Sequence, residues 1–419
     1  MLSSWITISA TLWALAGLIG GLVLGIAAPH DALVTASLPT CTTLGTLWIN
    51  ALRMTIVPLV SALLISGITG SIEQARVCRV AGRAVALYMA LLLASAVLAA
   101  LMVPALLHIF PIEGRAAAAL RTATSGVPQA IPPQASVADM LLAAIPTNPL
   151  AAAAQDAMLP LIIFVSLFAL ALTRLPKAQA APMTHFFRTI ADAMLLIVGW
   201  VLKLAPLAIF CLALQLGARA GEGAISALIH YVLIVSSTGV ALLLLAYPLA
   251  VLMGRVAMGA FLRALAPAQI VAFSTQSSIA ALPAMISGCE QIGVPEHVYG
   301  VSLPVAVSVF RVTSPAMNLA VTLYTAAWLG IPLTMPSMVA GIIVAGLASL
   351  GTVSLPNQVT FLSSIAPIAL AMGVPVAPIA LFIAVEMLPD IVRTVGNVTM
   401  DVAAARILAR WDNVRETYH

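Results

Sequence analysis

The sequence predicts an all-α membrane protein, a bundle of hydrophobic helices, on three observations. Of its 419 residues, 62% are hydrophobic and 8% charged, against roughly a quarter charged in soluble domains. Apolar runs of about 20 residues or more, the length that crosses a bilayer, fill most of the chain and leave room for no soluble domain larger than a loop. Lipid offers backbone amides no partner, so a chain this rich in alanine and leucine satisfies them inside helices.

The first run, near 6–28, follows Met-Leu-Ser-Ser-Trp with no lysine or arginine before it. A signal peptide opens with a basic region, so this run is expected to stay as the first helix. Runs near 42–70, 82–110, 139–173, 186–218 and 225–254 are each long enough to span. Arg76, Arg79 and Arg83 follow the second run, Arg174, Lys177 and Arg188 the fourth, and Arg255 and Arg263 the sixth; Arg406, Arg410 and Arg415 close the chain. Basic residues mark the cytoplasmic side, which places both termini inside a cytoplasmic (inner) membrane. The net charge of +4 is thus scattered as topology signals and makes no nucleic-acid patch. Segment 111–138 reads as an external loop. Cys41, Cys78, Cys211 and Cys289 stand alone in apolar surroundings and read as core thiols.

Past residue 264, helix-breaking residues appear inside stretches apolar enough to sit at membrane depth. One runs from Ser274 through Ser277 and Ser278 to Pro283, the other from Ser349 through Leu355 to Pro356. Each has short apolar arms and is followed by a full-length run, at 298–330 and 374–408. Paired interrupted segments point to a transporter binding site, because open backbone is tolerated only beside a cavity. The alternative is a pair of Ser-rich turns between helices.

The last run carries Glu386, Asp390, Arg393, Asn397 and Asp401. At about 100° per residue they fall within an arc of roughly 80°, one stripe that cannot face lipid. Each charge at the bilayer centre costs about 2.5–3.5 kcal/mol, so such groups line a bundle interior or a solute path. Asp390 and Arg393 as an internal pair that fixes packing is the alternative. Chemically the stripe suits a zwitterion with an extra acid group. Arg393 offers a planar fork to a carboxylate, Asp390 accepts from an ammonium, and Thr394 and Asn397 add neutral hydrogen bonds. An intramembrane enzyme is disfavoured: there is no His-Glu-x-x-His, no serine set beside a base and no Gly-rich nucleotide loop with lysine, and no cofactor is implied.

These features resemble the dicarboxylate/amino acid:cation symporters, which include glutamate and aspartate transporters. The likeness covers nearly the whole chain. It includes Arg53-Met54-Thr55-Ile56-Val57-Pro58-Leu59, Ile145-Pro146-Thr147-Asn148-Pro149, the two Ser-containing Leu-Pro segments, and Asp390 to Asp401, close to the family's D-x-x-R-T-x-x-N-V-x-x-D. The resemblance implies eight spanning helices plus two re-entrant helical hairpins, near 264–292 and 337–372, in inverted repeats. It implies a homotrimer of elevator type. The scaffold would lie mainly in 1–70 and 139–220, the transport part mainly in 82–110 and 221–419. By position, Ser277 and Ser278 would hold the main-chain carboxylate and Leu355 would mark the gate. Arg393 would read the side-chain carboxylate, Asp390 the amino group, with Thr394 and Asn397 completing the pocket. Asn397 and Asp401 would be candidate sodium ligands.

The chain departs from the family where an unwound Asn-Met-Asp-Gly-Thr is usual, reading Phe310-Arg311-Val312-Thr313-Ser314. Tyr88 is followed by Leu91 and Leu92 where the family has hydroxyl residues. Hard cations need oxygen ligands, so that sodium site is expected to be lost. Arg311 places a fixed cation there and is expected to replace a sodium by pairing with Asp401 or Glu386; the alternative is an arginine that snorkels to an interface. The reading is a symporter of aspartate, glutamate or related dicarboxylates, proton-coupled or sodium-independent in binding. Glu386 is then the first choice of proton carrier, with Asp401 and His297 behind it. An uncoupled carboxylate uniporter or channel, a sodium-coupled C4-dicarboxylate symporter and a receptor that binds without transport are the alternatives.

Overall fold

The computed structural model describes residues 2–29, 31–77, 79–112, 114, 145–155, 157–220, 223–350 and 357–416. The first half forms α1 (Leu2–Ala27), α2 (Ala32–Arg53), α3 (Ile56–Val77), α4 (Arg79–Ile109), α5 (Pro149–Ala154), α6 (Met158–Leu172), α7 (Lys177–Lys203) and α8 (Ala205–Ala220). The second half forms α9 (Gly223–Pro248) with a π-turn at Leu249–Met253, then α10 (Met258–Thr275), α11 (Ser278–Gln291), α12 (Glu296–Val309), α13 (Thr313–Leu329), α14 (Met335–Ser349) and α15 (Asn357–Ala371). A 3₁₀ segment, Ala377–Ala384, leads into α16 (Met387–Glu416). No strand occurs among the described residues. Four stretches, Ala32–Gly70, Gly82–Ile109, Lys177–Lys203 and Ile225–Met253, are long and apolar enough to cross a membrane.

Five runs expected to be continuous are broken; one of them, 139–173, divides between α5 and α6. Run 42–70 divides between α2 and α3, 186–218 between α7 and α8, 298–330 between α12 and α13, and 374–408 between the 3₁₀ segment and α16. Each second helix carries a proline in its first turn: Pro58, Pro160, Pro206, Pro315 and Pro389. A proline is tolerated there and disfavours continuation from the preceding turn, although Pro104 and Pro304 lie inside the unbroken α4 and α12, so a proline alone does not dictate a break. Glu386 stands in the turn before α16 and not on its first helical turn. Most of segment 111–138 lies outside the described residues.

α10 and α11 fold back on each other about Gln276 and Ser277. Gln276 takes a left-handed conformation, φ 50°, and Ser277 caps α11 by accepting from the Ala280 amide at 3.3 Å. Gly288 fixes the register. A Cβ there would stand 2.6 Å from the Ala264 carbonyl oxygen, and these two residues are equidistant from Gln276. α14 and α15 also pack together, but their connection, 351–356 with Leu355, lies outside the described residues.

α1 lies on α8 through Gly21 and Gly25, where a Cβ would come within 2.5 Å of the Phe210 and Leu214 carbonyl oxygens. Small residues at such a crossing let backbones touch, which is how helices gain contact when lipid is as apolar as the side chains. α13 forms the centre of the other half, with every residue but Ala327 buried, and α4, α9, α14, α15 and α16 pack around it. The far end of α16 fastens its neighbours. Arg410 Nη1 donates to the Met253 carbonyl at 2.9 Å, Arg406 Nη1 to Gly293 at 3.1 Å, and Asp412 takes Arg83 at 3.1 Å and His297 at 2.8 Å.

Candidate functional site

The polar stripe turns inward. Glu386, Asp390, Arg393, Thr394, Asn397 and Asp401 are all buried, and so is Arg311 from the break between α12 and α13. Three carboxylates and two guanidiniums thus share an interior that excludes water, where each needs a compensating partner.

Arg393 is gripped from two sides. Its Nη2 lies 2.7 Å from Glu386 Oε1 and its Nη1 donates to Asn318 Oδ1 at 3.1 Å. The other Glu386 oxygen accepts the Tyr231 hydroxyl at 2.9 Å, and the Tyr231 ring stacks on Phe382 with centroids 3.8 Å apart. The close partner of Arg393 is therefore Glu386, seven residues back, while Asp390 Oδ1 stands 3.9 Å from Arg393 Nε. Bending the chain between the 3₁₀ segment and α16 brings Glu386 back over the arginine.

α16 also caps α13. Asn397 Oδ1 accepts the Thr313 amide at 2.9 Å and its hydroxyl at 2.8 Å, which satisfies the first backbone donor of α13. The Thr313 hydroxyl also lies 3.0 Å from the Arg393 carbonyl oxygen. Gly396 permits this approach, because a Cβ there would meet Thr313 Cγ2 at 2.8 Å. The Asn397 oxygen faces Thr313, and its Nδ2 has no hydrogen-bond partner among the described residues. Thr394 donates to the Asp390 carbonyl at 2.9 Å along its own helix, leaving only lone pairs to offer. From the hairpin, Gln269 of α10 donates to the Thr399 hydroxyl of α16 at 2.9 Å, and α11 packs on α16 as well.

Several buried polar atoms have no hydrogen-bond partner among the described residues: Ser278 Oγ, Asp390 Oδ1, Asn397 Nδ2, Asp401 Oδ1 and Arg311 Nε. Buried polar atoms are nearly always paired, so an unmatched set of donors and acceptors marks a place for a polar guest. Ser277 is half-buried and spends its oxygen on the helix cap. Tyr231, Thr313 and Asn318 were not assigned from sequence to the arginine and asparagine they contact. Tyr231 sits singly in an apolar run with no signal beyond its hydroxyl, whereas Thr313 sits in the departing motif.

A model of the sodium:dicarboxylate symporter family matches residues 10–411. The chain belongs to the sodium:dicarboxylate symporter family. Over 406 residues it is 26% identical to the proton/sodium-glutamate symport protein of Bacillus subtilis (strain 168), covering 94% of this chain and 91% of that one. It is 25% identical over 375 residues to the proton/glutamate-aspartate symporter of Escherichia coli (strain K12), covering 88% and 84%. It is 27% identical over 390 residues to the C4-dicarboxylate transport protein of Brucella anthropi, covering 89% and 84%. As a member of the sodium:dicarboxylate symporter family with these apolar helices, the chain is an integral membrane protein.

Proposed function

We propose that the chain is a secondary active symporter of aspartate or glutamate in a cytoplasmic (inner) membrane, driven by protons, with a solute site between α10–α11, α13 and α16. The observation that carries this is the buried, unmatched set of Asp390 Oδ1 and Asn397 Nδ2 on the helix of Arg393, with Ser278 Oγ on α11, which packs against that helix. Those atoms supply an acceptor for an ammonium and donors for carboxylates, and a plain dicarboxylate has no ammonium to give Asp390. Asp390, Arg393, Thr394, Asn397, Ser277 and Ser278 hold the solute, and Leu355 marks the gate. α10–α11 and α14–α15 act as re-entrant hairpins in an eight-span trimer. Its scaffold, 1–70 and 139–220, supports a transport part, 82–110 and 221–419, that moves as an elevator.

Coupling follows from the arginine's partner. A solute carboxylate that takes Arg393 competes with Glu386, whose contact is 2.7 Å. A carboxylate deprived of its cation away from water is held only when neutral, so Glu386 acquires a proton as the solute arrives. Solute and proton then favour each other's binding, as linkage requires. The test is uptake of labelled aspartate, glutamate and succinate into proteoliposomes under separately imposed proton and sodium gradients. Aspartate or glutamate should accumulate under the proton gradient alone. Downhill flux without accumulation under either gradient means an uncoupled uniporter, and preference for succinate under sodium means a C4-dicarboxylate symporter. Glu386→Gln should remove proton-driven accumulation and spare solute exchange; unchanged accumulation eliminates Glu386 as carrier.

A further inference from the structure

Without Arg311 the site would set one guanidinium against three buried carboxylates. Arg393 is drawn to Glu386 at 2.7 Å, which leaves Asp390 and Asp401 as two further buried carboxylates. Asp401 Oδ1 accepts no hydrogen bond among the described residues, and neither does Arg311 Nε donate one. Arg311 lies within electrostatic reach of Asp390 and Asp401, and Arg311 is the cation that acts on Asp401. Its backbone place is set by Pro315, which disfavours extension of α13 back through it, and by the Asn397 cap on Thr313 two residues on. A side chain anchored at a helix break and only 6% exposed does not snorkel to an interface.

The surrounding ligands favour an arginine over a metal ion. A hard cation would need several oxygens. The Asn397 oxygen is committed to Thr313 and the open atom of that amide is a donor. Tyr88, whose ring stacks on Phe310 at 5.2 Å, directs its hydroxyl to the Ser302 carbonyl, and Leu92 beyond it offers none. A guanidinium, by contrast, keeps its charge without any coordination shell.

We propose that Arg311 is the resident counter-ion of the solute site: its guanidinium, in place of a bound metal cation, offsets part of the charge of Asp390 and Asp401 and lets an acidic solute bind without sodium. This rests on the reading that the pocket takes an acidic solute. Removing the charge then leaves Asp390 and Asp401 with only Arg393, already drawn to Glu386, as a nearby cation.

The experiment uses the full-length protein with Arg311→Met and Arg311→Lys, in choline chloride and in sodium chloride. Wild type should bind aspartate with the same Kd in both salts. Arg311→Met should lose at least about 100-fold in choline, about two tenfold steps of binding free energy, and Arg311→Lys should stay within about tenfold of wild type. The melting temperature of the solute-free protein gives a second readout, since a ligand that binds the folded state raises it. Sodium should leave wild type unmoved, and Arg311→Met should melt below wild type in both salts, with Arg311→Lys close to wild type. A sodium requirement in wild type overturns the proposal, as does undiminished choline binding by Arg311→Met, or equal loss in Arg311→Lys. If wild type binds no acidic solute in either salt, the functional reading falls, and the solute-free melting comparison still decides the role of Arg311.

Discussion

α7 and α16 are long helices of 27 and 30 residues that hold opposite places. α7 turns Phe186, Leu196 and Trp200 outward, each more than half exposed, and makes one of the four apolar spans. α16 is too polar to count among those spans, yet Arg393 in its second turn is 1% exposed. The difference shows what lipid does to the usual rule. Where the solvent is hydrocarbon, an apolar face costs nothing outside, and the polar stripe is what must be enclosed. Hydropathy finds α7, whereas charge spacing finds α16.

The largest break in that comparison comes from truncating the enclosed guanidinium. Arg393→Ala leaves Glu386 buried beside Tyr231 without its cation, a loss of about 3–5 kcal/mol in stability for such a pair. Aspartate binding by calorimetry should fall at least about 100-fold, or about 2.7 kcal/mol. Arg393→Lys keeps a point charge but cannot reach Glu386 and Asn318 together, so it should restore stability better than affinity. A variant with wild-type affinity would remove Arg393 from the solute site.

The converse change places a charge on the outer face. Leu196→Arg on α7 should cost about 2.5–3.5 kcal/mol of insertion if that position is mid-membrane, read as a drop in the membrane-inserted fraction. Free insertion would mean that the exposed face of α7 meets water. A smaller effect is expected where α16 meets α13. Gly396→Ala pushes a methyl to 2.8 Å from Thr313 Cγ2 and should lower stability by about 1–3 kcal/mol in thermal unfolding, with weaker aspartate binding. An unaltered melting temperature would show that Thr313 can move aside and that the Asn397 cap is not a fixed part of the pocket.

What the sequence disclosed follows the same division. The inward stripe was legible because charges at helical spacing have one solution in lipid, and Asp390, Arg393, Asn397 and Asp401 all lie inside. The first hairpin was legible from Ser277 and Ser278 followed by a Leu-Pro pair. The helix breaks are not legible in the same way: Pro58, Pro160, Pro206, Pro315 and Pro389 each follow one, but Pro104 and Pro304 lie inside unbroken helices, so an apolar run with a proline reads equally as one helix or two. One such break displaces Glu386, which the bend before α16 returns to Arg393 as its close partner. Tyr231 and Asn318 were hidden for a different reason. Each is one polar residue in an apolar helix, and only tertiary packing shows that it meets the arginine.

The smallest effect tests what covers the outer face. Trp200 is 63% exposed on α7, so Trp200→Ala removes contacts with lipid and little else within one chain. A surface change of this kind should stay within about 0.5 kcal/mol, measured as thermal unfolding in lipid nanodiscs, with aspartate affinity unchanged. A loss several times larger that grows as the protein is diluted would mean that a second copy of the chain lies on Trp200. In that case the exposed apolar face of α7 is half of an interface, and the trimer proposed above gains its contact surface. If the loss is small and independent of dilution, α7 faces acyl chains, and any trimer must close through another part of the scaffold.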